Sequence, residues 1–280
     1  MKVSILQGDF MKILRFLFLL CIVFVICFLI SGGHTLLDTS TIGTRVEKQL
    51  PAIANNVEPA TMTGSRPVST LDRLSRLLFL QKAVNRAISD RNYVTIDYIA
   101  LPMQQAIISV EDNRFYSHWG FDIEGILRAS LVNLQYGRIE EGASTITQQL
   151  VKNMFLSQDQ SFGRKAEELL LAVDMEAHYS KEHILELYLN TIYFGSDFYG
   201  INDACRGYFG KKPADLTLAE ASLLAGLPNA PSLSSPYADY AMAKKRQAIV
   251  LDTMVHSGLI APSTAEKAKS EPLHFTRETR

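Results

Sequence analysis

Cysteine is scarce: the 280 residues hold three, and two of them, Cys21 and Cys27, fall inside one apolar run. A disulfide framework is therefore excluded for the rest of the chain, where Cys205 stands alone and is expected as a small core residue. An excess of one charge sign is also missing. With 28 Lys and Arg against 29 Asp and Glu the formal net charge is -1, so the basic surplus of a nucleic-acid binder is absent and specific partners must be recognised by local clusters. No dinucleotide-binding glycine pattern, phosphate-cradling P-loop, internal repeat or His/Cys/Asp cluster at zinc spacing occurs. Alternation of polar and apolar residues with period two is rare, which leaves little sequence for strands.

What the chain does have begins with FLFLLCIVFVICFLI, an unbroken apolar run from Phe16 to Ile30, extended by Ile13 and Leu14 before it and Ser31 to Gly33 after it. About 20 helical residues cross a hydrocarbon core of about 30 Å. Lys2, Lys12 and Arg15 precede the run, so residues 1–12 are expected in the cytoplasm, 13–33 as a membrane anchor, and Thr35 to Arg280 on the outer side. A cleaved signal peptide would use the small residues Ser31, Gly32 and Gly33, but the run exceeds the usual length of such a segment. Residues 34–92 are expected to form a juxtamembrane linker. Within it, Leu71 to Ile88 spaces Leu77, Leu80, Val84 and Ile88 at helical intervals, with Arg73, Arg76, Lys82 and Arg86 on other faces. A helix packed on the domain with a solvated basic side is favoured over one lying on anionic lipid.

From Tyr93 to about residue 275 the chain reads as an all-α domain. Pro102 suits the first turn of a helix carrying Met103, Ile107 and Val110 inward. TITQ at Thr145 to Gln148, TLAE at Thr217 to Glu220 and STAE at Ser263 to Glu266 have capping-box spacing, and Ser180 is placed to cap KEHILELYLN. Gly195, Gly210, Gly226 and Gly258 sit where helices should stop.

Charge and aromatics crowd into VEDNRFYSHWGFD, Val110 to Asp122. Glu111 and Asp112 are about 100° apart on a helix, so one can enter a cleft while the other holds backbone or a cation. Walls of Phe115, Tyr116 and Trp119 would desolvate a carboxylate and raise its pKa, making it a usable base. Taken alone, such a pair is more often a solvated helix end. Further along, GASTITQQLVKN places Thr145, Gln148 and Lys152 on one helix side, a polar stripe suited to an oxygen-rich ligand. RKAEE sets Arg164 four residues before Glu168, with Lys165 beside it. As a surface pair this is worth a few tenths of a kcal/mol; gathered with Lys152 it suits an anionic leaving group such as pyrophosphate.

Four ordered motifs, E-D-x-x-F-x-x-H-x-G (Glu111 to Gly120), G-A-S-T-I-T-Q-Q-L-V-K-N (Gly142 to Asn153), R-K-x-x-E (Arg164 to Glu168) and K-x-x-I-L-E-x-Y-L-N (Lys181 to Asn190), resemble those of the peptidoglycan glycosyltransferases. This family occurs as monofunctional transglycosylases and as the N-terminal half of class A penicillin-binding proteins. Ala143 replaces a frequent second glycine and Trp119 is unusual at its position; neither change removes a reactive group. The resemblance implies a lysozyme-like all-α head with a small membrane-associated jaw, acting at the outer (periplasmic) face of a bacterial cytoplasmic membrane. It implies lipid II and the growing glycan strand as substrates, with inversion at the donor sugar.

By the same resemblance Glu111 is the general base, and Glu168, Lys152, Arg164 and Lys165 orient and neutralise the pyrophosphate. Asp112 braces the Glu111 loop, while Ser144, Thr145, Gln148, Gln149 and Asn153 meet substrate. Phe115, His118, Gly120, Glu186, Tyr188 and Asn190 are supports, and His178 and His183 are structural. No cofactor is required, although a divalent ion, Mg²⁺ or Mn²⁺, has room to assist at the pyrophosphate. Membrane lipid and other cell-wall synthesis proteins are the implied partners, and nucleic acid is not.

Two rivals remain open at this point. A lysozyme-like hydrolase also uses inward carboxylates, but has no need for the cations at Lys152, Arg164 and Lys165. A scaffold without activity has no need for the carboxylates. No S-x-x-K followed by K-T-G occurs, so a penicillin-binding transpeptidase is not expected in this sequence.

Overall fold

The computed structural model of the chain describes residues 80–87, 92–136, 142–156, 162–229 and 234–277. The expected anchor at 13–33, and the linker apart from residues 80–87 and 92, lie outside them. Among the described residues no helix is long and apolar enough to cross a membrane. They form no strand, only isolated antiparallel bridges between Trp119 and Phe121 and between Tyr193 and Tyr199.

Among the described residues ten α-helices follow in order: α1 (Leu80–Ala87), α2 (Leu101–Glu111), α3 (Ile123–Tyr136), α4 (Ile146–Phe155), α5 (Phe162–His178), α6 (Lys181–Thr191), α7 (Ile201–Phe209), α8 (Leu218–Ala225), α9 (Tyr240–His256) and α10 (Pro262–Ser270). The all-α expectation holds for this part of the chain. Leu80 and Val84 of α1 are buried in the core, which is the domain-packing arrangement; Leu77 and Ile88 lie outside the described residues.

α2 is the centre of the assembly, with α8 and α9 packed on it and on each other, while α4 lies against α6 and α10 against α9. Pro102 stands in the first turn of α2, where its missing N–H removes no helical bond. Met103, Ala106 and Ile107 are fully buried, and Ser109 returns its hydroxyl to the Ala106 carbonyl at 2.8 Å. A helix apolar on several sides is a core helix, and its C-terminal end carries Glu111 into the interior's edge.

Caps follow the sequence in three places. Thr145 with Gln148, and Thr217 with Glu220, form reciprocal capping boxes, and the Ser180 hydroxyl accepts from His183 N. Each such cap stabilises its helix by about 1 kcal/mol. STAE departs from expectation, because Pro262 takes the first turn after Ala261 and puts Ser263 inside α10. Gly210 ends α7 in the left-handed region, whereas Gly226 closes α8 at φ -78°, a conformation open to any residue. Cys205 is buried in the core as expected, and burial holds its thiol well above the usual range.

Gly120 is needed for two reasons. Its φ is +73°, and a Cβ there would come within 2.8 Å of the Ala172 carbonyl carbon on α5. That backbone cannot step aside without moving a buried helix. Gly120→Ala is therefore expected to lower unfolding free energy by about 2 kcal/mol or more, from left-handed strain and overpacking together. Urea denaturation checks this; a midpoint equal to that of the unsubstituted chain would contradict the close approach.

Candidate active site

The site grows from the end of α2. Glu111 is its last residue, and Asp112 leaves the helix with φ -161° and ψ 73°, so the adjacent carboxylates diverge. Asp112 turns to the start of α4, where Oδ2 accepts from Ile146 N at 3.0 Å, and both carboxylate oxygens lie 3.0 Å from His118 Nε2. A carboxylate at a helix N-terminus is favoured by the unpaired N–H groups there. The Thr145 hydroxyl donates to the Gly120 carbonyl at 2.7 Å, completing a clamp between the 112–120 loop and α4. Asp112 thus ties the 112–120 loop to the start of α4, and His118 and Gly120 belong to the same clamp.

Glu111 lines a cavity of about 390 Å³ together with Asp112, Asp122, Arg128, Ser144, Thr145 and Arg246, among others. Gln149 Nε2 donates to Glu111 Oε2 at 2.8 Å, and Tyr188 Oη donates to Gln149 Oε1 at 3.0 Å. Glu111 Oε1 is buried with no hydrogen-bond partner among the described residues. Burial raises the Glu111 carboxyl above its ordinary range; the Gln149 hydrogen bond and the Arg246 charge oppose this, and the Asp112 charge adds to it. The desolvation expected from sequence is present, but its source differs. Phe115 is fully buried in the core, Tyr116 and Trp119 are exposed, and none of the three lines the cavity.

A second carboxylate, Glu168, is 2% exposed and lies between two cations. Arg164 Nη1 reaches its Oε2 at 2.9 Å and Lys165 Nζ bonds Oε1. Lys165 Nζ also makes a long contact, 3.5 Å, with the Ser144 hydroxyl at the cavity wall. Arg164 and Lys165 are therefore held as a pair by a buried acid rather than scattered on a helix surface, and losing one would leave that charge poorly compensated.

Not all of the polar stripe on α4 faces substrate space. Gln148 is buried, its amide oxygen accepting from Thr145 N at 3.0 Å, and it is absent from the cavity wall. Capping occupies the first two members of the i, i+3, i+7 series. Lys152 and Asn153 are exposed towards the far end of α4 and do not line the cavity. Glu186 accepts from Tyr93 Oη at 2.6 Å and Ile96 N at 2.7 Å, while Asn190 exchanges hydrogen bonds with Val94 N and O, both at 2.8 Å. These two fix the segment leading into α2.

Arg246 escaped the sequence reading because it ends a basic run, AKKR, that looks like a solvated helix face. The signal was periodicity: Ala243, Gln247 and Val250 are fully buried, and Arg246 lies three residues after Ala243, beside that stripe. Its Nε donates to the Gly226 carbonyl at 3.3 Å. Asp122, paired with Arg114 Nε at 3.1 Å, and Arg128 were also missed.

A buried carboxylate with a raised pKa thus lines the same cavity as Ser144, which the acid-anchored Lys165 contacts. The chain belongs to the transglycosylase family: residues 80–255 match the family model described as Transglycosylase. It is accordingly a glycosyltransferase. It is similar to penicillin-binding protein 1A of Neisseria flavescens, at 46% identity over 187 residues, which are 67% of this chain and 23% of that protein. Penicillin-binding protein 1A of Aquifex aeolicus is 44% identical over 193 residues, 69% of this chain and 27% of that protein. That of Neisseria gonorrhoeae is 44% identical over 190 residues, 68% and 24% respectively. The chain spans about a quarter of the length of these curated relatives.

Proposed function

We propose that the chain polymerises lipid II, a disaccharide-pentapeptide on undecaprenyl pyrophosphate, into β-1,4 glycan. The observation that carries this reading is the combination of Glu111 Oε1, buried and without a partner among the described residues, with the Arg164–Glu168–Lys165 cluster that reaches the cavity through Ser144. The acceptor GlcNAc 4-hydroxyl gives its proton to Glu111 and attacks C1 of the donor MurNAc. The new C1–O4 bond forms as the bond from C1 to the pyrophosphate oxygen breaks, and the electron pair leaves with undecaprenyl pyrophosphate. Direct displacement inverts C1. Arg164 and Lys165, oriented by Glu168, stabilise the charge arriving on the pyrophosphate, and Lys152 reaches it from the exposed side of α4. Gln149 holds Glu111, and Asn153 is read as meeting substrate beside Lys152 on the exposed side of α4.

Among the described residues no group of three or more His, Cys, Asp or Glu could hold a metal ion, and Glu168 is already engaged by two cations.

The head is read as lysozyme-like, carried at the outer face of the cytoplasmic membrane, and α3 as the membrane-associated jaw. Ile123, Leu127, Leu131 and Leu134 repeat along one side of α3, with Leu131 69% and Leu134 80% exposed. Such a row is unfavourable in water and suited to acyl chains. Residues 154–156 add nothing to this apolar surface, since Phe155 is buried and Met154 and Leu156 pack on the core. A chain beginning near Thr35 should still float with liposomes, and Leu131→Gln/Leu134→Gln should abolish flotation. Flotation unaffected by that pair would remove α3 as the contact.

The hydrolase reading is separated by substrate. Purified protein given labelled lipid II should make long glycan and leave preformed glycan intact; shortening of preformed glycan without synthesis would overturn the proposal.

A further inference from the structure

We infer that Tyr188 is a positioning residue that acts through the Gln149 amide to commit Glu111 Oε2 and leave Oε1 as the proton acceptor. The inference rests on the reading of Glu111 as base and adds to it the device that selects one oxygen and one protonation state. Three helices meet in it: α6 supplies Tyr188, α4 supplies Gln149 and α2 supplies Glu111, linked at 3.0 and 2.8 Å.

The logic is that of an amide with two unlike ends. With its NH₂ towards Glu111, Gln149 favours the ionised carboxylate; with its carbonyl there, it would favour the protonated acid. The Tyr188 hydroxyl can settle the choice, because it donates to the carbonyl end and a flip would leave that proton facing NH₂. Tyr188 is fully buried, and burial together with the charges of Glu111 and Asp112 keeps the phenol protonated well above its usual range. The amide itself hangs from the first turn of α4, which Asp112 and the Thr145–Gln148 box hold in place. Neither link can swing away cheaply.

Other charges face the same carboxylate. Arg246 from α9 favours ionisation and Asp112, bound to His118, opposes it. Asp122 and Arg128 line the same cavity. None is touched by Tyr188→Phe, which removes one hydroxyl and keeps the ring.

The sign follows directly. Without the hydroxyl, the Gln149 amide is free to present its carbonyl, the ionised form of Glu111 loses its donor, and a higher pH is needed to create the base. The test is a pH profile of kcat/KM on lipid II for Tyr188→Phe, Gln149→Met and the double variant, with Glu111→Gln alongside and thermal melts on all. For Tyr188→Phe the acid limb is expected to move up, with about tenfold loss on that limb and recovery to within about twofold at high pH. In the Gln149→Met background, Tyr188→Phe should shift nothing further. A loss equal at every pH, or a shift that persists without Gln149, overturns the inference. If Tyr188→Phe does not fold, Gln149→Met decides alone: an unmoved acid limb overturns the relay. An inactive Glu111→Gln beside an unshifted Tyr188→Phe rejects only the relay, whereas an active Glu111→Gln rejects the base itself.

Discussion

Glu111→Gln is expected to keep the fold and the ability to bind lipid II while losing about 10² to 10⁴ of the polymerisation rate, the usual contribution of a general base. Gln matches Glu in shape but cannot accept the 4-hydroxyl proton. Stability should move the other way from activity. Burial disfavours the charged carboxylate of Glu111, and Oε1 has no partner among the described residues, so a neutral amide relieves a desolvation penalty. Melting temperature at neutral pH is therefore expected to equal or exceed that of the unsubstituted chain. Turnover near the original rate would sink the assignment of Glu111.

Lys152→Ala should reduce turnover by about tenfold with no loss of thermal stability, because it withdraws one charge-assisted contact from the departing pyrophosphate. Lys152 is exposed, and a surface change of that kind alters stability by about 0.5 kcal/mol or less. Arg164→Ala is the harsher companion. It removes one of the two cations on nearly inaccessible Glu168, so both stability and activity should fall, activity by more. Rates that declined only in step with melting temperature would make these residues structural. Steady-state kinetics beside calorimetry distinguishes the outcomes.

The parts of this site that sequence made legible are those governed by local spacing. The caps at Thr145, Thr217 and Ser180, Pro102 in the first turn of α2 and the divergence of Glu111 from Asp112 all depend on residues within four positions of one another. The STAE cap failed for a local reason as well, since a neighbouring proline is the stronger start signal. What stayed hidden depends on packing between helices. No periodicity brings Tyr188 and Gln149 to Glu111, 39 positions separating the first two and 38 the second pair. Arg246 comes from α9, far along the chain. The desolvation of Glu111 was anticipated from adjacent aromatics, yet Tyr116 and Trp119 turn to solvent and the tertiary setting supplies the burial instead. Helical spacing placed Thr145, Gln148 and Lys152 on one side, but could not say that Gln148 would be held by its own cap.

The most direct test of the central claim is NMR and chain-length analysis of the product made from isotopically labelled lipid II. The expected result is a lengthening ladder of glycan whose new linkages are β-1,4, with one undecaprenyl pyrophosphate released for each bond formed. Glycan with α linkages would contradict direct displacement assisted by Glu111, and release of pyrophosphate with no new glycosidic bond would contradict polymerisation itself.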